Sequence, residues 1–472
     1  MSGIKPKVAI CGAGAMGSGI AQVAAQAGCE VAVFDVQPAA LADGEARTIA
    51  AIEGLVARGK MDAAAGQAVL ARFRWTDDLA TLADADLVIE AIIEDAAIKA
   101  DLFAGIEAIV GPEAIIASNT SSLPISRLAR GLAKPERFVG MHFFNPAPVM
   151  KLVEVVSGAA TSPDVAEAVR SVATAWGKVA IPVADVPGFI VNRVARPFYA
   201  EAFVATAEGV APATVDALIR AAGFRMGPLE LADLIGHDVN FAVASSVHAS
   251  YFGRTRFVPQ IGQAALVDAG WFGRKTGRGV YRYDGGAPAA AREEDAFGVP
   301  SVAQQHAAQE FRAGTPGGRF ECDGIVMGTT AGATARAEAL SRGRPVALFD
   351  WFAAEGTGPV GFAASEPAAV ECAQSVLAAL GRHGRVVADR PGLVVMRTLA
   401  QLANAAADAV FERVSDEAGI DAALRYGANY PFGPLAWADR IGRRQLVTLL
   451  DAIATETGEA MYRPSLYLRQ SA

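Results

Sequence analysis

The chain has 472 residues, 52% of them hydrophobic and 19% charged, with a net charge of −8. At roughly 150 residues per domain, that length predicts about two to four domains with sizeable cores, and the composition excludes wholesale disorder. The acidic balance argues against general binding to nucleic acid or anionic membrane, leaving only a local basic patch as a grip for phosphates.

The opening "MSGIKPKVAICGAG" runs straight into a strand and a glycine turn, so no signal peptide is expected. No apolar run reaches the roughly 18 residues of a membrane span. Cys11, Cys29, Cys322 and Cys372 are scattered with no CxxC pair, as expected of free thiols in a reduced compartment such as the cytoplasm. "KVAICGAGAMGSGIAQVAAQAGCEVAVFD" predicts a buried strand over Val8–Cys11, a helix to about Ala27, and a second strand closing on Asp35. Between them Gly12, Gly14 and Gly17 form GxGxxG, with Ala15 and Met16 opening the helix. In a βαβ unit the first glycine permits the tight turn, the second admits a pyrophosphate, and the third lets helix pack on strand. Asp35 stands where a carboxylate accepts from ribose hydroxyls and repels a 2′-phosphate, which favours NAD over NADP.

"ADLVIEAIIED" (85–95) predicts a third strand, with Glu90 and Glu94 at the end where open α/β sheets bind ligands. "AIIASNTSSLPIS" (114–126) predicts another, breaking into Ser118, Asn119, Thr120, Ser121 and Ser122. A helix cap takes one such residue, so part of the run is expected to face a ligand. "RFVGMHFFNPAPVMKLVEVVSG" (137–158) predicts two apolar strands joined by a proline-rich turn, carrying His142 and Glu154. A lone strand histidine is usually core, and an edge-strand glutamate usually faces water. Here the short turn can set them side by side, and alcohol oxidation by NAD needs a proton acceptor. Histidine titrates near neutrality, and a carboxylate on its second nitrogen fixes the tautomer.

"SNTSSL" (118–123), "GMHFFNPAPVMKLVEVV" (140–156), "DVPGFIVNRV" (185–194) and "RKTGRGVYRY" (274–283) resemble the 3-hydroxyacyl-CoA dehydrogenase family over roughly residues 5–285. The resemblance implies an α/β protein in which a Rossmann domain binds NAD and a helical domain follows. It implies that His142 is the general base, Glu154 orients it, and Ser121 touches the substrate hydroxyl. Asn145 and Asn192 then lie near substrate and nicotinamide, and Glu94, Lys99 and Lys275 contact the cofactor. Lys60 resembles the region that meets the CoA phosphates, although a solvated lysine reads equally well there.

From Pro187 onward apolar residues fall at helical spacing. Residues 389–412, "DRPGLVVMRTLAQLANAAADAVFE", repeat 185–208 at a shift of 204, and 420–442 repeat 215–236. Residues 345–367 echo 138–163 more faintly. The copy departs where chemistry is expected: Met396 replaces Asn192, Phe349 falls near His142, Gly361 near Glu154, and no GxGxxG precedes them. The expected domains are therefore a Rossmann domain (1–186), a helical domain (187–284), a linker (285–319), a vestigial α/β segment (320–388) and a non-catalytic helical copy (389–472). That copy can fill a dimerisation surface within one chain, although a homodimer is still expected.

The reaction the resemblance implies is NAD-dependent oxidation of an (S)-3-hydroxyacyl-CoA, with no metal. The appended copy is similar to long bacterial members acting on 3-hydroxyadipyl-CoA in phenylacetate breakdown, with Arg193, Arg196, Arg225 and Arg254 as candidate contacts for the terminal carboxylate. The alternatives are a 3-hydroxybutyryl-CoA dehydrogenase of fatty-acid or polyester metabolism, an L-gulonate or carnitine dehydrogenase, and a crystallin-like NAD-binding protein without activity.

Overall fold

The computed structural model describes residues 5–283, 300–313, 318–353 and 357–472. The chain forms two compact units, Met1–Val191 with Arg413–Ala428, and Asn192–Glu412 with Asn429–Ala472.

The first unit is built on β1 (Val8–Cys11), β2 (Val31–Phe34), β3 (Phe73–Thr76), β4 (Leu87–Glu90), β5 (Ile115–Ser118), β6 (Phe138–Phe143), β7 (Leu152–Ser157) and β8 (Val179–Ala184), in the order β3-β2-β1-β4-β5-β6-β7-β8. The strands β1 to β6 are parallel, β7 runs antiparallel to β6, and β8 is parallel to β7. Every residue of β1 and β4 is buried, as a parallel sheet covered on both faces requires. Strand order reverses at β1 and β4, so the ligand crevice opens beyond their carboxyl ends.

The strand expected over 85–95 is shorter than its apolar run, and Ile93 beyond it is 64% exposed. The edge strand β3 was not foreseen: "FRWT" has no fully buried residue and no long apolar run. The helix Glu417–Gly427 comes from the far end of the chain yet packs on β7 and β8. The Ala184 amide donates to the Val414 carbonyl at 2.9 Å and the Ser415 hydroxyl to the Pro182 carbonyl at 2.7 Å. The expected domain at 389–472 is thus divided between the two units, because these partners are more than 200 residues apart in the chain and leave no local signal.

The second unit holds β9 (Arg319–Cys322), β10 (Ile325–Thr329), β11 (Val346–Phe349), β12 (Val360–Ala364) and β13 (Gly384–Val386), ordered β13-β12-β11-β10-β9. The directions of β10 to β13 reproduce those of β5 to β8, whereas β9 lies antiparallel on the edge where β4 stands in the first sheet. The segment called vestigial is therefore a five-stranded sheet lacking the nucleotide half. It has its own core, where the rings of Phe311, Phe320, Phe349 and Phe362 meet. Most of the "DGGAPAAAREEDAFGVPS" stretch read as linker lies outside the described residues. Val302–Ala313, also assigned to the linker, is a helix whose Ala307 and Ala308 are buried in this core.

The two helical copies meet reciprocally within this unit. Arg193 is 1% exposed, pairs with Glu412 at 2.6 Å and donates to the Tyr251 hydroxyl at 2.9 Å. Its equivalent Arg397 pairs with Glu208 at 3.4 Å and donates to the Tyr462 hydroxyl. Glu208 and Glu412 are themselves equivalent at the shift of 204. Residue i meeting j while j meets i is the signature of a two-fold interface, here closed inside one chain. Pairing and hydrogen bonding offset the cost of burying these guanidiniums.

Candidate active site

The site is assembled at the carboxyl ends of β1, β4, β5 and β6. After β1 the three glycines have three different reasons. Gly12 turns with φ of +109°, and a Cβ there would lie 2.6 Å from the Ala91 carbonyl oxygen. A Cβ on Gly17 would lie 1.8 Å from the Gly12 carbonyl oxygen. Gly14 has nothing within 4 Å of its Cβ position, which is the open space a pyrophosphate needs. Gly14 caps the helix Ala15–Gln26 without a side-chain bond, leaving first-turn amides free to bind an anion. Asp35 accepts from the Ala13 amide at 2.9 Å and the Gln37 amide at 3.0 Å, which ties the acid to the glycine turn. These residues fit a dinucleotide.

The polar run after β5 is mostly consumed internally. Ser118 donates to Glu90 at 2.6 Å, Asn119 accepts from the Phe143 amide at 2.8 Å, and Thr120 and Ser122 donate to Glu94 at 2.6 and 2.9 Å. Only the Ser121 hydroxyl has no partner among the described residues. The part of the run that remains free to face a ligand is thus the Ser121 hydroxyl. Beneath this loop, Lys99 is 1% exposed and sits 2.5 Å from Glu90 and 3.1 Å from Glu94. Lys99 was expected at the cofactor. Its ammonium is held between two carboxylates, which ties it to the loop that carries Ser121. Burial pushes the Glu94 carboxyl up, but the Thr120 hydroxyl, the Lys99 charge and Ser122 outweigh it, and the net shift is downward.

His142 and Glu154 face each other across β6 and β7 in register, with Nδ1 to Oε2 at 2.6 Å. Glu154 is fully buried, and its other oxygen accepts the amides of Ile190 and Val191 at 3.0 Å each. The His142 ring lies against Phe144 and Phe189, with centroids 4.5 and 5.7 Å away. Its Nε2 has no partner among the described residues. A second histidine shows what a structural one looks like. His237 Nε2 meets Asp233 at 2.6 Å, its Nδ1 meets Gln263 at 3.4 Å, and both members of the His–Asp pair are wholly buried. Both nitrogens of His237 are used; His142 keeps one.

The remaining expected residues separate. Asn145 is exposed after β6 and Lys60 is exposed after the helix Pro38–Ala57. Asn192 and Lys275 belong to the second unit, where Asn192 is half-buried and Lys275 pairs with Asp238 at 2.6 Å. Of the four arginines considered for a carboxylate, Arg193 and Arg254 are paired with Glu412, and Arg196 reaches the Asn240 carbonyl at 3.4 Å. Exposed Arg225 alone is unpaired among the described residues. Sequence reasoning did not recognise Glu90 as the buried counter-charge of Lys99. The signal was a carboxylate closing an otherwise apolar strand nine residues before a lysine. Among the described residues no helix is long and apolar enough to cross a membrane.

Comparison with known proteins follows the same division. Residues 7–186 match the model of the 3-hydroxyacyl-CoA dehydrogenase NAD binding domain. The C-terminal domain model of that family matches twice, at 188–283 and 392–472. The chain is 41% identical over 467 residues to 3-hydroxyadipyl-CoA dehydrogenase of Escherichia coli K12, covering 98% of this chain and 97% of the relative. It is 43% identical over 279 residues to a probable 3-hydroxybutyryl-CoA dehydrogenase of Deinococcus radiodurans, covering 59% of this chain and all of the relative. A crystal structure titled 3-hydroxybutyryl-CoA dehydrogenase from Escherichia coli K12 superposes with a TM-score of 0.92 at 40% identity, covering 99% of this chain and 98% of that one. The chain belongs to the 3-hydroxyacyl-CoA dehydrogenase family and is an NAD-dependent oxidoreductase.

Proposed function

We propose that the protein oxidises the 3-hydroxyl of (S)-3-hydroxyadipyl-CoA to the ketone, with His142 as the base. The observation that carries the proton-transfer reading is His142 held by Glu154 through Nδ1 while Nε2 has no partner among the described residues. Nε2 takes the hydroxyl proton, and Glu154 offsets the positive charge that the imidazole gains. NAD, when bound, accepts the hydride that leaves C3. The free Ser121 hydroxyl orients the substrate oxygen, and Asn145 and Asn192 serve substrate and nicotinamide. In the reverse direction, protonated His142 polarises the ketone.

The adipyl reading is supported by the relative that aligns over both helical copies and bears that substrate's name. A solved structure of the same extent is titled for 3-hydroxybutyryl-CoA, so that shorter substrate is the second reading. Initial rates of NADH formation on 3-hydroxyacyl-CoAs of increasing length, each with and without an ω-carboxylate, separate the two. A higher kcat/KM on the butyryl thioester than on the adipyl one overturns the first. The four free cysteines support a reducing compartment, proposed as the cytoplasm. The assembly is proposed as a homodimer, using a surface other than the helical face already paired within the chain.

A further inference from the structure

The second unit contains a cavity of about 910 Å³ at the degenerate counterpart of the catalytic positions. The equivalences follow from repeated geometry. Asp185 accepts the amides of Ile125 and Ser126, and Asp389 accepts those of Ala335 and Arg336. That match sets Thr330 and Ala331 in the places of Thr120 and Ser121, and the shift of 204 sets Met396 in the place of Asn192. All three line the cavity, with Leu449 adding to its apolar floor.

The rim has changed in one direction. The helices Pro228–Ile235 and Pro434–Ile441 end on equivalent glycines, Gly236 and Gly442, with φ of 101° and 100°. Counting from them, Leu234 corresponds to Arg440, His237 to Arg443 and Asp238 to Arg444. Arg443 pairs with Asp439 at 2.6 Å at the positions of His237 and Asp233, but as a surface pair on the rim, where the first copy has a wholly buried one. Arg440 and Arg444 repeat nothing: an apolar and an acidic position have both become cationic. Both are exposed, line the cavity, and lack a carboxylate partner among the described residues. Arg440 is held over the Phe432 ring at 3.7 Å, which orders its guanidinium without neutralising it. The N-terminus of the fifteen-residue helix Arg443–Thr457 adds charge of the same sign.

We propose that this cavity is a binding site for an anionic acyl compound, with the chain on the Met396–Leu449 floor and a carboxylate or phosphate head on Arg440 and Arg444. A concave apolar pocket with few polar groups suits such a ligand, and a guanidinium fork matches either head. The site is independent of the reading of His142.

Calorimetric titration of the full chain with decanoate and with decanoyl-CoA tests it, beside an Arg440→Glu/Arg444→Glu variant and an Arg440→Lys/Arg444→Lys variant. The wild type is expected to bind one more equivalent of at least one probe than the Glu variant. The affinity of that equivalent should weaken roughly tenfold or more on charge reversal and be largely retained with lysine. Decanoate uptake identifies the head as a carboxylate; uptake of decanoyl-CoA alone identifies it as phosphate. Unchanged turnover of 3-hydroxybutyryl-CoA in the Glu variant reports an intact fold, and Arg444→Glu alone serves if the double variant misfolds. Equal stoichiometry of both probes in wild type and Glu variant, or an extra equivalent whose affinity survives charge reversal, overturns the proposal.

Discussion

Glu154 and Asp350 cap the same turn in the two copies from different strands. Glu154, on β7, accepts the amides of Ile190 and Val191. Asp350, following β11, accepts those of the equivalent Val394 and Val395 at 2.9 and 2.8 Å, and that of Met396 at 2.8 Å. Phe189 and Leu393, just before these amides, share a left-handed φ of 48° and 52°. Strand register pairs Gly328 with Leu348 as it pairs Ser118 with Gly140, so the counterpart of His142 is Asp350, one residue beyond the Phe349 suggested by alignment. Gly361 replaces Glu154 and leaves the room: a Cβ on it would stand 3.4 Å from Asp350 Oδ2. The second copy keeps the cap and discards the histidine, so the turn needs a carboxylate but no imidazole.

That separation predicts two different losses. Glu154→Ala should lower both stability and kcat, since it frees two buried amides at about 1–3 kcal/mol each and releases His142. Asp350→Ala should lower stability by a similar amount and leave kcat/KM unchanged. Urea unfolding alongside steady-state kinetics checks both; equal kinetic damage from the two would count against the assignment.

His142→Gln should reduce kcat by roughly 10²–10⁴-fold while NAD affinity stays within about twofold. His237→Gln leaves Asp233 without its imidazole donor and should cost stability instead. Calorimetric NAD binding and turnover, measured on both variants, distinguish a catalytic from a structural histidine.

Gly14→Ala should fold normally, because its Cβ meets nothing, yet raise the KM for NAD by obstructing the pyrophosphate. Gly17→Ala should fail through the fold, its Cβ being placed 1.8 Å from a carbonyl oxygen. A normal melting temperature for Gly17→Ala would contradict this packing.

Lys99→Met would leave the buried Glu90 without its counter-charge, and removing one partner of a buried pair costs about 3–5 kcal/mol. The loop holding Ser121 hangs from Glu94, so the KM for substrate should rise in the same variant. A variant as stable as wild type would show that the pair carries no structural weight.

Burial pushes Asp350 up to about 6, against an unfolded value of about 3.9. Between those values the folded chain holds the extra proton, so this contribution is full below pH ~4 and lost as pH rises through 6. That difference corresponds to roughly 3 kcal/mol. Denaturation of wild type and Asp350→Asn at pH 4.5 and 7 should show a smaller loss of stability on raising the pH in the variant. Asp216, pushed up to about 6 by its own burial, is common to both and cancels.

The dinucleotide turn was legible because its chemistry is local. GxGxxG, the strand before it and the acid after it lie within 35 residues, and backbone sterics dictate each glycine. His142 and Glu154 were legible because a short turn between antiparallel strands makes register a matter of counting. The ion pairs of Lys99 were not legible because nothing in "EAIIEDAAIKA" shows that the helix turns its ammonium inward between two carboxylates. Which part of the run at 118–122 stays free was not legible for the same reason: whether a hydroxyl is free depends on Glu90, Glu94 and a strand from elsewhere in the chain.

By itself the sequence determined the cofactor turn, the pairing of His142 with Glu154 and the duplication of the helical domain, since each is written in spacing and periodicity over short spans. Tertiary structure alone decided that Arg193 and Arg397 are spent on each other's copies, that the helix Glu417–Gly427 packs on the first sheet, and that Asp350 stands where His142 would be. Those outcomes depend on which buried charge meets which partner across hundreds of residues, and desolvation, which enforces such pairing, leaves no periodic trace in the chain.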